Sequence, residues 1–234
     1  MTSRFDAVWL DAGGVLVLPD PTVLGPLLAY YGGTTDVDSH RRAHYAAMAV
    51  KSAQGAEERD WREYDRAYVR SVGIDDGDID EAASVLGHAR TAALWRWPIP
   101  DSIGALAALA AAAVPLGVVS NASGQIEAML RRSRVCQVGP GDGVDVRCVI
   151  DSAVVGVAKP DPAIFDFAAA HFDGVDRARI CYVGDSVTMD VAGALAAGLH
   201  PILLDPFDDH PDAGFERIAS LSELVSPSSG GRSP

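Results

Sequence analysis

Four short polar signatures stand beside apolar runs in this chain. Asp11 follows Ala7–Leu10, and Ser120-Asn121 follows residues 116–119. Lys159-Pro160-Asp161 precedes a helical pattern, and Gly184-Asp185-Ser186 with Asp190 follows residues 180–183. Each alone has a plain reading: an acid or a Ser-Asn pair after a strand is commonly a helix cap, and a single lysine is commonly a solvated charge. Together they offer three carboxylates, one ammonium and one hydroxyl. Carboxylates clustered without thiolates or histidines suit a hard cation such as Mg²⁺, which takes few protein ligands and shares its other positions with water and phosphate. A phosphoryl group is the natural third party, its oxygens neutralised by the metal and the lysine while one carboxylate attacks phosphorus to give an aspartyl-phosphate.

For these residues to meet, the elements between them must bring them to one edge. Ala7–Leu10 reads as a short buried strand running into the Gly13-Gly14 loop. Residues 21–97 change to helical spacing with many charges, Trp61, Tyr64, Tyr68 and Val69 recurring at three- and four-residue steps, which predicts a helical subdomain. Asp101 or Ser102 is expected to cap the Ala-rich helix that follows Pro98 and Pro100. From residue 116 onward strand and helix alternate, with strands expected at 116–119, 148–150, 180–183 and 201–204 and helices at 126–131, 162–171 and 187–197. This alternation indicates an α/β fold with a parallel sheet covered on both faces, and such sheets bind ligands at the carboxyl ends of their strands. A last helical pattern is expected over residues 215–225. Residues 226–234, rich in Ser, Pro and Gly, read as a disordered tail.

The order and spacing of these residues resemble the haloacid dehalogenase-like (HAD) superfamily. The matching segments are Val8-Trp-Leu-Asp11-Ala-Gly-Gly, Gly117-Val-Val-Ser120-Asn, Val155-Gly-Val-Ala-Lys159-Pro-Asp-Pro, and Tyr182-Val-Gly-Asp185-Ser-Val-Thr-Met-Asp190. The resemblance implies a Rossmann-like doubly wound core (residues 1–17 and 99–225) with an inserted helical C1 cap (residues 18–98). It also implies Mg²⁺-dependent phosphatase activity on a small phosphorylated metabolite. Asp11 would be the nucleophile. Ser120 and its neighbours Asn121, Gly13 and Gly14 would surround the phosphoryl group, and Lys159 would balance charge. Asp11, the Gly13 carbonyl, Asp185 and Asp190 would form the metal set. Lys159 is also one of only two lysines among 19 basic residues, and a compact ammonium can approach a carboxylate and a phosphate together where a planar guanidinium would be misplaced.

One departure matters. The family's phosphatases usually carry a second Asp two residues after the nucleophile, as general acid and base, and here that residue is Gly13. Such help is worth about 10²–10⁴-fold. Three readings follow. The first is a phosphatase whose substrate leaves without strong acid help, such as a sugar 1-phosphate or acyl phosphate, or whose acid is supplied by Asp20 or by His40, His44 or Tyr45 behind it. The second is a 2-haloacid dehalogenase, which needs no such acid. The third is a non-catalytic regulatory relative.

The remaining composition sets limits. Asp and Glu number 32 against 19 Lys and Arg, a net charge of −13, which lacks the cationic surface that nucleic-acid binding requires. The most apolar stretch, residues 105–120, is interrupted by Pro115 and falls short of the roughly 20 residues a membrane span needs. The start has no apolar signal core, so a cytoplasmic protein, monomer or homodimer, is expected. Cys136, Cys148 and Cys181 read as buried thiols. His40-Arg-Arg-Ala-His44 lacks the Glu of a zinc-protease helix and reads as a pair of exposed histidines. The acidic run Asp76–Asp80 lacks the Gly and Glu of a calcium loop.

Overall fold

The computed structural model describes residues 4–55 and 60–225; the tail read from the sequence lies outside them. Six parallel strands form the central sheet: β1 (Ala7–Leu10), β4 (Leu116–Ser120), β7 (Val149–Asp151), β8 (Ile180–Gly184), β9 (His200–Leu204) and β10 (Glu216–Ile218). Their spatial order is β10-β9-β8-β1-β4-β7. Alternation along β1 shows why the sheet is covered on both sides. Val8 and Leu10 pack with α5 (Pro100–Ala111) and α6 (Ile126–Arg132), while Ala7 and Trp9 pack with α8 (Ile164–Ala169) and α9 (Ala192–Ala196). All four β1 residues are buried, as the period of two requires when helices flank both faces. The fold is α/β and Rossmann-like.

Between β1 and β4 the chain leaves the sheet through β2 (Val17–Pro19) and returns through β3 (Trp95–Pro98), which pair antiparallel. Between these strands lie α1 (Pro21–Ala29), α2 (Val37–Ala53), α3 (Arg62–Ser71) and α4 (Ile79–Ala89). They share an apolar cluster of their own, with Leu24, Ala47, Tyr64, Tyr68 and Leu86 at its centre. Two further strands, β5 (Cys136–Val138) and β6 (Val144–Val146), pair with each other beside the sheet, and α7 (Ser152–Val155) follows β7.

Three sequence expectations are corrected. Helical spacing does not run to residue 97, because β3 pairs with β2 and makes the return connection a strand. The helix expected at 215–225 is instead the edge strand β10 and a 3₁₀ turn at Leu221–Leu224. Ile218 and Leu221 both reach the core, and Arg217 pairs with Asp205 next to β9. The Ala-rich α5 starts at Pro100 in its first turn with Ile99 as the capping residue, so neither Asp101 nor Ser102 caps it. The three cysteines are free and buried, as expected.

Candidate active site

The loops that follow β1, β4 and β8 converge on one cavity of about 670 Å³, lined on this side by Asp11, Ser120, Lys159, Asp185 and Asp190. Lys159 Nζ is its hub. It lies 3.1 Å from Asp11 Oδ2 and donates to Asp190 Oδ1 at 2.6 Å and to the Tyr182 hydroxyl at 2.8 Å. Burial would lower its pKa, but the attraction of Asp11 and Asp190 more than offsets this and holds it above the ordinary range. The ammonium stays charged.

Its backbone is fixed as firmly as its side chain. Asn121 donates through Nδ2 to the Lys159 carbonyl at 3.0 Å, and its Oδ1 accepts from the Lys159 N–H at 2.8 Å. The Ser-Asn pair after β4 therefore clamps the lysine loop to the sheet edge. Asp151, at the end of the neighbouring β7, holds the Asn121 loop in turn by accepting from the Gly124 N–H through Oδ2, while its Oδ1 caps α7 at the Ala153 N–H.

Asp190 is occupied on both oxygens. Oδ1 faces Lys159 and lies 3.1 Å from the Tyr182 hydroxyl, and Oδ2 accepts from the backbone of Asp185 and Ser186. Asp190 thus braces the loop that presents Asp185. Asp11, Asp185 and Asp190 each bring a carboxylate oxygen to within 4.8 Å of the others, all three buried. Burial raises the Asp11 pKa to about 7; Lys159 opposes the rise, while Asp190 and Asp185 add to it. Such a set of close oxygen donors, with more negative charge than Lys159 alone balances, fits a hard divalent cation. Asp11 and Asp185 are the members best placed to ligate one, because the hydrogen bonds of Asp190 are already committed within the protein.

Gly13 and Gly14 make the close approach of the first loop necessary. Gly14 has φ +69°, and a Cβ there would fall 1.9 Å from Asp185 Oδ2, so no side chain is tolerated. At Gly13 a Cβ would lie 3.0 Å from Cζ3 and 3.2 Å from Cε3 of Trp95. The indole on β3 occupies the space into which a side chain at position 13 would extend.

Asp20 is not part of the cavity. It caps α1, accepting from the Thr22 N–H and hydroxyl, and pairs with Arg96 at 2.8 Å. Its partners account for its carboxylate completely, and they offset burial to leave its pKa lowered. His40 also lies elsewhere, buried between Tyr68 and the Thr34 carbonyl.

The largest surprise is His44. Read from the sequence as exposed, it is only 1% exposed on its side chain, with Nε2 2.9 Å from Asp185 Oδ2 and Nδ1 2.8 Å from the Tyr64 hydroxyl. Tyr45, beside it, donates to the Gly14 carbonyl at 2.6 Å. Helix α2 therefore touches both the first and the last loop of the site. The sequence carried one usable signal: His40, His44, Met48 and Lys51 recur at four-, four- and three-residue steps, which place them along one helix face. Tyr182 and Trp95 had no such signal, and the spacing of Trp61 with Tyr64 and Tyr68 pointed only to a helix face.

Comparison with known proteins agrees with this geometry. The family model for haloacid dehalogenase-like hydrolases matches residues 5–198. The pyrimidine 5'-nucleotidase YjjG of Escherichia coli is 31% identical over 130 residues, 54% of this chain and 55% of that protein. The glyceraldehyde 3-phosphate phosphatase of Methanopyrus kandleri is 30% identical, covering 67% of this chain and 69% of that one. A (S)-2-haloacid dehalogenase of Pseudomonas is 27% identical over 53% of each chain. The chain thus spans about half the length of the nucleotidase and the dehalogenase. Among solved structures, the magnesium-bound YfnB of Bacillus subtilis superposes with a TM-score of 0.57 at 18% identity, covering 94% of this chain and 97% of that one, a likeness of fold. No helix among the described residues is long and apolar enough to cross a membrane. With the four loops, the lysine hub and a family match over residues 5–198 in agreement, the chain belongs to the haloacid dehalogenase-like hydrolases.

Proposed function

We propose that the protein is a phosphatase acting on a small phosphorylated metabolite, with Asp11 as nucleophile and helices α1–α4 as the cap over the reaction. The observation that carries this reading is the buried set Asp11, Asp185 and Asp190 around Lys159. A Mg²⁺ ion held by Asp11 and Asp185 would supply the positive charge that screens the nucleophile from the phosphoryl oxygens.

The chain's own residues do the rest. The Ala12 N–H holds Asp11 Oδ1 at 2.7 Å, which restricts rotation of the carboxylate. Lys159 opposes the rise in the Asp11 pKa that burial causes and balances the incoming phosphoryl charge. An Asp11 oxygen forms the bond to phosphorus as the ester P–O bond breaks, and the electron pair leaves on the alcohol oxygen. Water then attacks the phosphorus of the acyl phosphate, releasing inorganic phosphate and restoring Asp11. Since Gly13 supplies no proton to the leaving oxygen, the site favours phosphates with low-pKa leaving groups, such as acyl or sugar 1-phosphates.

The 2-haloacid dehalogenase reading draws on the dehalogenase relative, which shares the family but is matched over about half its length. The two are separated by one pair of assays. Mg²⁺-dependent release of phosphate from an aryl phosphate, lost in Asp11→Asn, supports the phosphatase. Metal-independent halide release from a 2-haloacid, with no phosphate release, overturns it. Folded protein inactive on both would leave the non-catalytic reading standing.

A further inference from the structure

One hydrogen-bonded chain crosses from the helical lobe to the strand-end loops. Tyr64 on α3, His44 on α2 and Asp185 after β8 are all buried. The Tyr64 hydroxyl lies 2.8 Å from His44 Nδ1, and His44 Nε2 lies 2.9 Å from Asp185 Oδ2. A carboxylate oxygen against Nε2 requires the ring proton there, because two facing lone pairs would repel. In the neutral ring Nδ1 then accepts from the Tyr64 hydroxyl, which fixes the tautomer. The contact engages Oδ2 of Asp185 and leaves Oδ1 without a hydrogen bond among the described residues.

The surrounding packing is built for this contact. A Cβ at Gly14 would fall 1.9 Å from Asp185 Oδ2 and 2.8 Å from His44 Nε2, so the pair closes over a position that only glycine can occupy. Tyr45, the next residue of α2, donates to the Gly14 carbonyl. Arg42 on the same helix donates through both terminal nitrogens to Asp209 at 2.6 Å, and its guanidinium lies 5.0 Å from the centre of the Phe207 ring. The helix that carries His44 is thus held on the core at Asp209, Gly14 and Asp185. A carboxylate with one oxygen already held by a fixed donor has less freedom to lose when a cation binds the other.

We propose that His44, steadied by Tyr64, is a positioning residue that orients Asp185 for the divalent cation, so that cation affinity depends on a residue of the helical lobe. This rests on the cation-binding reading of Asp11 and Asp185 and adds to it a contribution from outside the strand-end loops.

Cation affinity tests this without turnover. The full chain is titrated with Mn²⁺, followed by the electron paramagnetic resonance signal of the free ion, and the titration is repeated with Mg²⁺ as competitor. Only binding that Asp185→Asn abolishes counts as this site, and circular dichroism checks the fold of each variant. His44→Leu is expected to weaken binding about tenfold or more. His44→Gln, which keeps an N–H donor able to reach Asp185, is expected to stay within about threefold of wild type. Tyr64→Phe loses only the hydroxyl and is expected to weaken binding about threefold. Wild-type affinity in folded His44→Leu overturns the proposal, as does His44→Gln binding as weakly as His44→Leu, since the hydrogen bond would then not be the cause. If His44→Leu does not fold, Tyr64→Phe decides, and unchanged affinity there overturns the proposal. Wild type that binds neither ion at this site fails differently, because the cation reading itself then falls.

Discussion

The two walls of the cavity are built on different principles. On the strand-end wall Asp11, Ser120 and Asp185 sit at or next to a strand terminus, so the register of β1 with β4 and β8 places them, while Lys159 and Asp190 lie on the following segments and are hydrogen-bonded back to that edge. The backbone itself is part of the machinery there, as in the Asn121 clamp on Lys159 and the Asp190 brace under Asp185. On the helical wall the residues project from one face of α2 and from β3, and what they meet depends on how that lobe docks. His44 on Asp185, Tyr45 on Gly14 and Trp95 over Gly13 are all contacts between walls. One wall is fixed by hydrogen bonds within the sheet-edge segments, and the other by how the helical lobe packs on them.

Substitution at the hub should break the first wall hardest. Lys159→Arg is expected to lower phosphate release at least about a hundredfold, because a planar fork cannot place donors on Asp11, Asp190 and Tyr182 from one point. Steady-state kinetics against an aryl phosphate measures it, and near-normal activity would show that charge alone matters.

Gly13 sharpens the contrast, since there the Trp95 indole on β3 takes up space two residues from Asp11. Gly13→Asp is expected to lose about 1–3 kcal/mol of stability by pressing on the Trp95 ring, with no gain on alkyl phosphates. Adding Trp95→Ala should give the carboxylate room and raise alkyl phosphate turnover about tenfold or more, though the lost packing on His44 and Trp61 keeps stability below wild type. Thermal melts and rates of the single and double variants decide. A gain in the single variant would mean that the indole yields readily.

The smallest effect concerns charge within the strand-end wall. Burial raises the Asp11 pKa to about 7 in the absence of metal, well above the roughly 3.9 of an unfolded Asp. The folded state then binds the proton more tightly between these values, so stability falls as pH rises through that window. Asp11→Asn removes the penalty. Its melting temperature without metal should exceed that of wild type at pH 8, by an equivalent of about 1–2 kcal/mol, and the advantage should disappear near pH 4. A difference independent of pH would point to packing instead.

Asp11, Ser120 and Asp185 were legible in the sequence because each falls at the carboxyl end of an apolar strand, whereas Lys159 and Asp190 were legible through the order and spacing of the four signatures. Asp11, Ser120, Lys159, Asp185 and Asp190 all line one cavity. Asn121 lines it as well, though its side chain is committed to the Lys159 backbone. Asp20 shows the limit of proximity in sequence. It opens the helical lobe, yet its oxygens are committed to a cap and to Arg96. His44 shows the converse, a residue read as exposed that tertiary packing buries against a carboxylate, and Lys51, to which the sequence attached no role, is buried against an indole.

What the sequence determined by itself is the five strands β1, β4, β7, β8 and β9 alternating with helices, the presence of a helical insertion after the first strand, and the acids and lysine of the four signatures. These follow from hydrophobic period and from the topology of parallel sheets, which are properties of short segments. Only the tertiary structure decided that Trp95 fills the space beside Gly13, that His44 reaches Asp185, and that the second lysine lines the cavity containing the first. Those contacts join residues far apart in the chain across two separately packed clusters, and no local pattern encodes the angle at which the clusters meet.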